Sequence, residues 1–226
     1  MKNIKNKVRA IIFDMDGTIV DSENIWDNAI QQLLVKRNIV TTPKQYQLLA
    51  TFAGCGLYPC AEILKKEFNI SASIDEIVNE AKNNAFEHFK KGIPFISGFE
   101  NFHKKLQTYL IPTSIATNAD ELSVKALSNS LNLAKFFGKN IYHIGLVENK
   151  AKPNPAIFLH AAKKLNVNPK ECIVFEDSLF GFQAAKAAGM KCIAVKNEKN
   201  KNILNHVDGA INSYSEAEEE LIKIIS

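Results

Sequence analysis

Short apolar runs recur along the chain, and a polar turn and a segment with helical spacing follow each of them. The runs are Val8–Phe13, Pro112–Ala116, Ile141–Gly145, Cys172–Phe175, Cys192–Val195 and, more weakly, Gly209–Asn212. Runs this apolar indicate strands buried on both faces, which is typical of a parallel sheet covered by helices. The pattern therefore predicts a layered α/β domain.

The pattern changes between residues 22 and 91, where no strand is indicated and helical segments follow one another. We expect a four-helix unit in this stretch, because the strand pattern resumes only after it. The predicted organisation is a helical cap domain at 22–91, inserted into a catalytic core formed by residues 1–21 and 92–226.

Local signals mark several helix ends in this sequence. Thr42 stands directly before a proline and is expected to start one helix of the insert. Ser73 with Glu76, and Ser215 with Glu218, have the spacing of a capping box, in which each residue binds a backbone N–H near the other. These pairs predict helix starts in the insert and near the end of the chain.

Composition restricts the class of protein further. The chain has 226 residues, a net charge of +4, and no apolar stretch approaching the roughly 18 residues that a membrane span requires. The first apolar run is too short for a signal peptide, so we expect a cytoplasmic protein with reduced cysteines. Its positive residues are spread along the chain, which argues against nucleic acid and membrane as partners.

Carboxylates follow the first predicted strand directly. Asp14 and Asp16 are two positions apart, so in extended chain both point toward one site at the carboxyl end of the sheet. Two unpaired carboxylates repel each other, and a hard cation or a division of roles between them would offset that cost. On its own the segment could also be a capped loop.

Further candidate residues stand at other strand ends. Thr117 ends the second predicted strand, where its hydroxyl could hold a phosphoryl oxygen or cap the next helix. Lys152 precedes a proline-bounded helix start, and Glu176 with Asp177 follows a later strand. Taken singly, these could be a solvated lysine and surface carboxylates. Arg9 and the one other arginine offer few guanidinium groups for phosphate, which leaves lysine, backbone amides and metal.

Together, four segments resemble the motifs of the haloacid dehalogenase superfamily, in the branch of phosphatases and β-phosphoglucomutases with a helical cap. They read FDMDGT at 13–18, SIATN at 114–118, KPNPAIF at 152–158 and VFEDSLFGFQAAKAAGM at 174–190. They occur in the family's order and span nearly the whole chain. The resemblance implies a Rossmann-like catalytic core with an inserted cap.

The resemblance also implies roles for the matching residues. Asp14 would attack phosphorus and form an aspartyl phosphate. Asp16 would protonate the leaving group and then deprotonate the attacking water. Lys152 and Thr117 would balance charge on the phosphoryl oxygens.

The same resemblance implies a magnesium site and a substrate-binding region. Magnesium would be held by the Asp14 carboxylate, the Asp16 carbonyl and Asp177, with Glu176 in or just behind this set of ligands. The substrate would be a small phosphorylated molecule, and the protein a monomer or weak dimer.

The substrate-binding residues expected from the motifs and the cap are Thr18, Asn118, Trp26 and Leu57. In β-phosphoglucomutases a histidine after the first motif helps to gate the acid/base aspartate, and a cap-loop arginine binds a second phosphate. Trp26 and Leu57 stand near those places here, and with Tyr58 they would form an apolar rim. This difference favours a phosphatase over a phosphomutase, which is kept as the alternative.

Two other enzyme classes and one binding module are alternatives to the phosphatase. Haloacid dehalogenases and phosphonoacetaldehyde hydrolases lack the acid at the place of Asp16, so its presence speaks against both. A non-catalytic phosphoaspartate receiver module gathers similar residues, but it is shorter and carries no helical insertion after its first strand. Catalytic release of phosphate from a phosphomonoester would separate the enzyme from the module.

Overall fold

A parallel sheet forms the centre of the molecule. The computed structural model describes residues 7–89 and 92–226, and within them lie six strands: β1 Ala10–Phe13, β2 Thr113–Thr117, β3 Ile141–His143, β4 Cys172–Glu176, β5 Lys191–Val195 and β6 Gly209–Ile211. The strand order is β3-β2-β1-β4-β5-β6, and every neighbouring pair is parallel. The α/β fold expected from the apolar runs is confirmed.

Helices cover both faces of this sheet and form a separate group after β1. Their bounds are α1 Glu23–Val35, α2 Pro43–Leu49, α3 Leu57–Glu67, α4 Ile74–Phe89, α5 Phe99–Thr108, α6 Glu121–Leu131, α7 Ala134–Phe137, α8 Ala156–Leu165, α9 Leu179–Ala187 and α10 Ala217–Ile225, with 3-10 turns at Ala50–Phe52, Ile144–Val147, Pro169–Glu171 and Leu204–His206.

The central strands are apolar on both sides because side chains alternate across a strand. In β1, Ile11 and Phe13 belong to the core on one face of the sheet, whereas Ala10 and Ile12 belong to the core on the other. Strand β4 alternates between the same two cores in the same way. Since both faces exclude water, the strands read as unbroken apolar runs instead of alternating ones.

The strand order brings three chain segments together at the carboxyl ends of neighbouring strands. Phe13 of β1 pairs with Ile115 on one side and Phe175 on the other, so the chain segments after β1, β2 and β4 leave the sheet together. Because later strands add to opposite sides of β1, a crevice opens at the carboxyl ends of β1 and β4. Parallel α/β sheets bind ligands at such a point.

Helices α1 to α4 make their own hydrophobic core, which includes Leu33, Leu64 and Ile77. The chain leaves and re-enters the sheet domain side by side, since Val20 pairs with Phe95 in an antiparallel bridge. The predicted second domain boundary, at residues 91 and 92, falls partly outside the described residues. The four-helix group agrees with the expected insertion, and the domain limits stay a prediction.

Two of the three expected helix starts have the predicted capping contacts. Thr42 accepts a hydrogen bond from the Gln45 backbone, and Ser73 and Glu76 bind each other's backbone N–H groups as a capping box does. The box expected at Ser215 is wrong: α10 begins one residue later, after Glu216, without a side-chain cap. Glu218 instead forms an ion pair with a lysine of α5, so a tertiary contact replaced the local one.

All four cysteines are free thiols, and the two on β4 and β5, Cys172 and Cys192, are buried as expected. Within the described part of the chain, no helix is both long enough and apolar enough to cross a membrane.

Candidate active site

A buried lysine joins two carboxylates at the carboxyl ends of β1 and β4. The Lys152 Nζ lies 2.5 Å from Asp14 Oδ1 and 2.9 Å from Glu176 Oε1, and all three side chains are nearly inaccessible to solvent. Burial lowers the pKa of Lys152, but the two carboxylates outweigh burial and raise it above its ordinary value. Lys152 therefore remains a cation beside the Asp14 carboxylate.

Glu176 is itself held in place at the start of α9. Its Oε2 accepts hydrogen bonds from the Ser178 backbone N at 2.6 Å and from the Ser178 hydroxyl at 2.9 Å. The Ser178 hydroxyl also caps α9 by accepting from the Gly181 N. A side chain at Gly181 would overlap the Glu176 carboxylate, so glycine is required there for close packing.

Asp177 is oriented by neighbours from two other segments. Thr18 Oγ1 donates to Asp177 Oδ1, and Asn197 Nδ2 donates to Asp177 Oδ2, each at 3.1 Å. Thr18 is fully buried, and its backbone carbonyl accepts a hydrogen bond from the Tyr214 hydroxyl. The structure thus places Thr18 against the predicted metal ligand, where it helps to fix the direction of that carboxylate.

These carboxylates form a cluster that fits a hard divalent cation. Asp14, Glu176 and Asp177 each offer an oxygen, and these oxygens lie within 4.8 Å of one another. Lys152 pairs with Asp14 and Glu176, and its one positive charge leaves one negative charge in excess between these two buried carboxylates. Burial raises the pKa of Asp14 to about 8, Glu176 adds to that rise, and Lys152 opposes it. A bound dication would neutralise the excess and keep Asp14 ionised.

Asp16 occupies a different environment from Asp14. Its Oδ1 accepts a hydrogen bond from the Ser22 hydroxyl at 2.6 Å and another from the Trp26 indole Nε1 at 2.9 Å. Burial raises the pKa of Asp16 above its ordinary value, whereas these two donors act to lower it. The Trp26 ring packs edge-on against Phe89, the last residue of α4. The helical group therefore contributes directly to holding Asp16.

Thr117 ends β2 and Asn118 follows it, at the same end of the sheet as this cluster. Thr117 is buried, and its hydroxyl accepts from the Ala119 N at 3.0 Å. The possibility that Thr117 caps the next helix is wrong, because Asp120 caps α6 by accepting from a backbone N–H. The Asn118 side chain links Gly54 to Lys152, which brings it within the site.

The remaining predicted substrate contacts lie on the helical group. Leu57 is partly buried against that group's own hydrophobic core. Tyr58 is half exposed, and its hydroxyl donates to Asp75 Oδ1 at 3.1 Å. Trp26 turns its indole N–H toward Asp16. The three side chains thus have separate partners, and their contact with substrate stays a prediction.

The family model described as haloacid dehalogenase-like hydrolase matches residues 11–195, which include every residue of the acidic cluster. The chain belongs to the haloacid dehalogenase-like hydrolase family. This membership confirms the resemblance carried by the four motifs. It agrees with the parallel sheet and with a site at the carboxyl ends of β1 and β4.

Named relatives of this hydrolase include phosphatases. The 6-phosphogluconate phosphatase of Escherichia coli K12 is 27% identical over 186 residues, covering 82% of this chain and 81% of the relative. The SUPPRESSOR OF QUENCHING 1 protein of Arabidopsis thaliana is 32% identical over 209 residues, and the match covers 88% of this chain but 19% of that protein. A crystal structure of a family IA hydrolase from Entamoeba histolytica matches with a TM-score of 0.83 at 24% identity, covering 96% and 99% of the two chains.

Sequence reasoning missed several residues that position the site. Ser178 binds Glu176, Asn197 binds Asp177, and Asn200 binds the Asp177 carbonyl at 2.8 Å. Ser178 stands directly before a helix and after a strand, which is a usable signal for a cap. The two asparagines follow β5, the neighbour of β4, so their position at a parallel strand's carboxyl end was also a signal.

Proposed function

We propose that this chain is a magnesium-dependent phosphatase that hydrolyses a small phosphorylated metabolite through an aspartyl phosphate. The observation that carries the proposal is the contrast between its two catalytic carboxylates. Asp14 lies beside the Lys152 cation and the acidic cluster, whereas Asp16 is held apart by neutral donors. Two carboxylates in different environments are suited to different roles, one as nucleophile and the other as acid and base.

In the first step, an Asp14 carboxylate oxygen attacks phosphorus, and the bond between phosphorus and the ester oxygen breaks. Asp16 donates its proton to the leaving alkoxide, so the alcohol departs neutral. In the second step, water attacks phosphorus while Asp16 accepts a proton from that water, and the bond between phosphorus and the Asp14 oxygen breaks. Inorganic phosphate leaves, and both carboxylates return to their starting states.

Lys152 would support both steps by balancing negative charge beside Asp14, and Thr117 would donate to a phosphoryl oxygen. Asp14, Asp177 and the Asp16 carbonyl would hold magnesium, with Glu176 behind them because its oxygens already bind Lys152 and Ser178. When bound, magnesium would offset charge on the phosphate and on the carboxylates around it.

The helical group is proposed to act as the cap domain, residues 22–91, over this site. Trp26 reaches Asp16 and Gly54 reaches Asn118, so parts of α1 and of the loop before α3 lie against Asp16 and against a residue that binds the Lys152 backbone. We propose a sugar phosphate or similar phosphomonoester as substrate, which is supported by the name of the Escherichia coli relative. A cytoplasmic location and a monomer or weak dimer stay predictions.

The test is a phosphate-release assay on a panel of sugar phosphates and sugar-acid phosphates, with magnesium and with excess chelator. Release that needs magnesium and turns over many times would support the proposal. Absence of release from the whole panel, or full activity in chelator, would contradict it. With β-glucose 1-phosphate, formation of glucose 6-phosphate faster than free phosphate would favour the phosphomutase instead.

A further inference from the structure

One side-chain amide connects the helical group to the catalytic lysine. Asn118 Nδ2 donates to the Gly54 carbonyl at 2.9 Å, and Asn118 Oδ1 accepts from the Lys152 backbone N at 2.9 Å. Gly54 lies in the 53–56 loop, which joins a 3-10 turn to α3. An amide can make both bonds at once because it carries a donor and an acceptor on one planar group.

The 53–56 loop makes a second contact that leads to the same lysine. The Cα of Gly54 approaches the Ser178 side chain so closely that a Cβ there would overlap it, and the backbone of Gly54 has a φ of +73°. Ser178 binds Glu176, and Glu176 binds the Nζ of Lys152. The loop therefore reaches the backbone of Lys152 through Asn118 and its ammonium group through Ser178.

We propose that Asn118 is a positioning residue that makes the placement of Lys152 depend on the seating of the 53–56 loop. With the loop seated, Gly54 fixes the amide and the amide fixes the Lys152 backbone. With the loop withdrawn, the Asn118 amide loses its bond to Gly54, and its remaining bond holds the Lys152 backbone less firmly. Lys152 is thus fully aligned with Asp14 only when the helical group covers the site. This role rests on the proposed phosphatase function.

The test is a double-mutant cycle between Asn118→Ala and Gly54→Ala. Gly54→Ala prevents seating, because its methyl group would overlap Ser178. We expect Asn118→Ala to lower kcat about tenfold in the wild-type background, the size expected from a lost positioning bond. In the Gly54→Ala background the further loss should be less than about twofold, because the amide is no longer held there.

Equal losses in both backgrounds would overturn the proposal, since Asn118 would then act independently of the loop. Thr51→Ala is the control, because Thr51 is an exposed residue just before the loop whose hydroxyl binds only the Leu48 carbonyl among the described contacts. If Gly54→Ala fails to fold, Gly54→Asn replaces it, since asparagine adopts positive φ more readily and carries the same Cβ.

A second measurement tests the link without any turnover. Hydrogen exchange of the Lys152 amide should be at least about tenfold faster in the Gly54 variant than in wild type, because its acceptor is less firmly held. Unchanged exchange would overturn the link even if activity falls. If wild-type protein releases no phosphate from any substrate, the proposed function fails, while the exchange result still decides the role of Asn118.

Discussion

Replacement of Gly17 by alanine should damage the proposed magnesium site with little effect on the rest of the fold. Gly17 has a φ of +72°, and a Cβ built on it would lie 2.8 Å from the Asp177 Cγ and overlap its carboxylate. Ordinary carbon contacts are about 3.5–4.0 Å, so Asp177 would have to move by about 1 Å. A displacement of that size at a catalytic group can lower the rate about 100-fold. The magnesium concentration needed for half-maximal activity should rise about 10- to 100-fold.

The chain offers a matched control in Gly189→Ala. Gly189 also has a φ of +72°, but nothing lies within 4 Å of a Cβ built there, at the far end of α9. Both variants should lose about 1–2 kcal/mol of unfolding free energy from the left-handed backbone, measured by urea denaturation. Only Gly17→Ala should need more magnesium in the phosphate-release assay. Equal magnesium requirements for the two variants would refute the argument that Gly17 makes room for Asp177.

Asp14→Asn should abolish turnover while the protein still binds inorganic phosphate, because only the nucleophilic oxygen is lost; activity above about a hundredth of wild type would contradict covalent catalysis. Trp26→Phe keeps an aromatic ring but removes the indole N–H that donates to Asp16, so kcat should fall about tenfold; an unchanged kcat would show that the bond is dispensable. Burial lowers the pKa of His103 to about 4, so the unfolded chain takes up the proton first and stability should fall by up to about 3 kcal/mol between pH 6.5 and pH 4. His103→Gln should remove that part of the pH dependence in urea unfolding, and identical pH slopes for the two proteins would contradict it.

The strands, and the carboxylates that cluster at their ends, could be predicted from the sequence. Strands buried on both faces leave unbroken apolar runs. In a parallel sheet, the residues that follow such runs lie together at the carboxyl ends of the strands. Asp14, Glu176 and Asp177 follow from this reasoning, and the structure brings their carboxylates within 4.8 Å of one another. The four-helix insertion was also visible, because the strand pattern stops and helical spacing takes over.

Only the tertiary structure decided which partners these side chains have. Trp26 was expected in an apolar rim, yet its indole N–H binds Asp16, a contact that depends on how α1 packs over the sheet. The amide of Asn118 is used by Gly54 and by the Lys152 backbone, which are distant in sequence. Hydrophobic period shows which face of an element is buried, but it carries no information about which distant donor will meet a given acceptor. That depends on the relative placement of elements, which the packing of the complete chain determines.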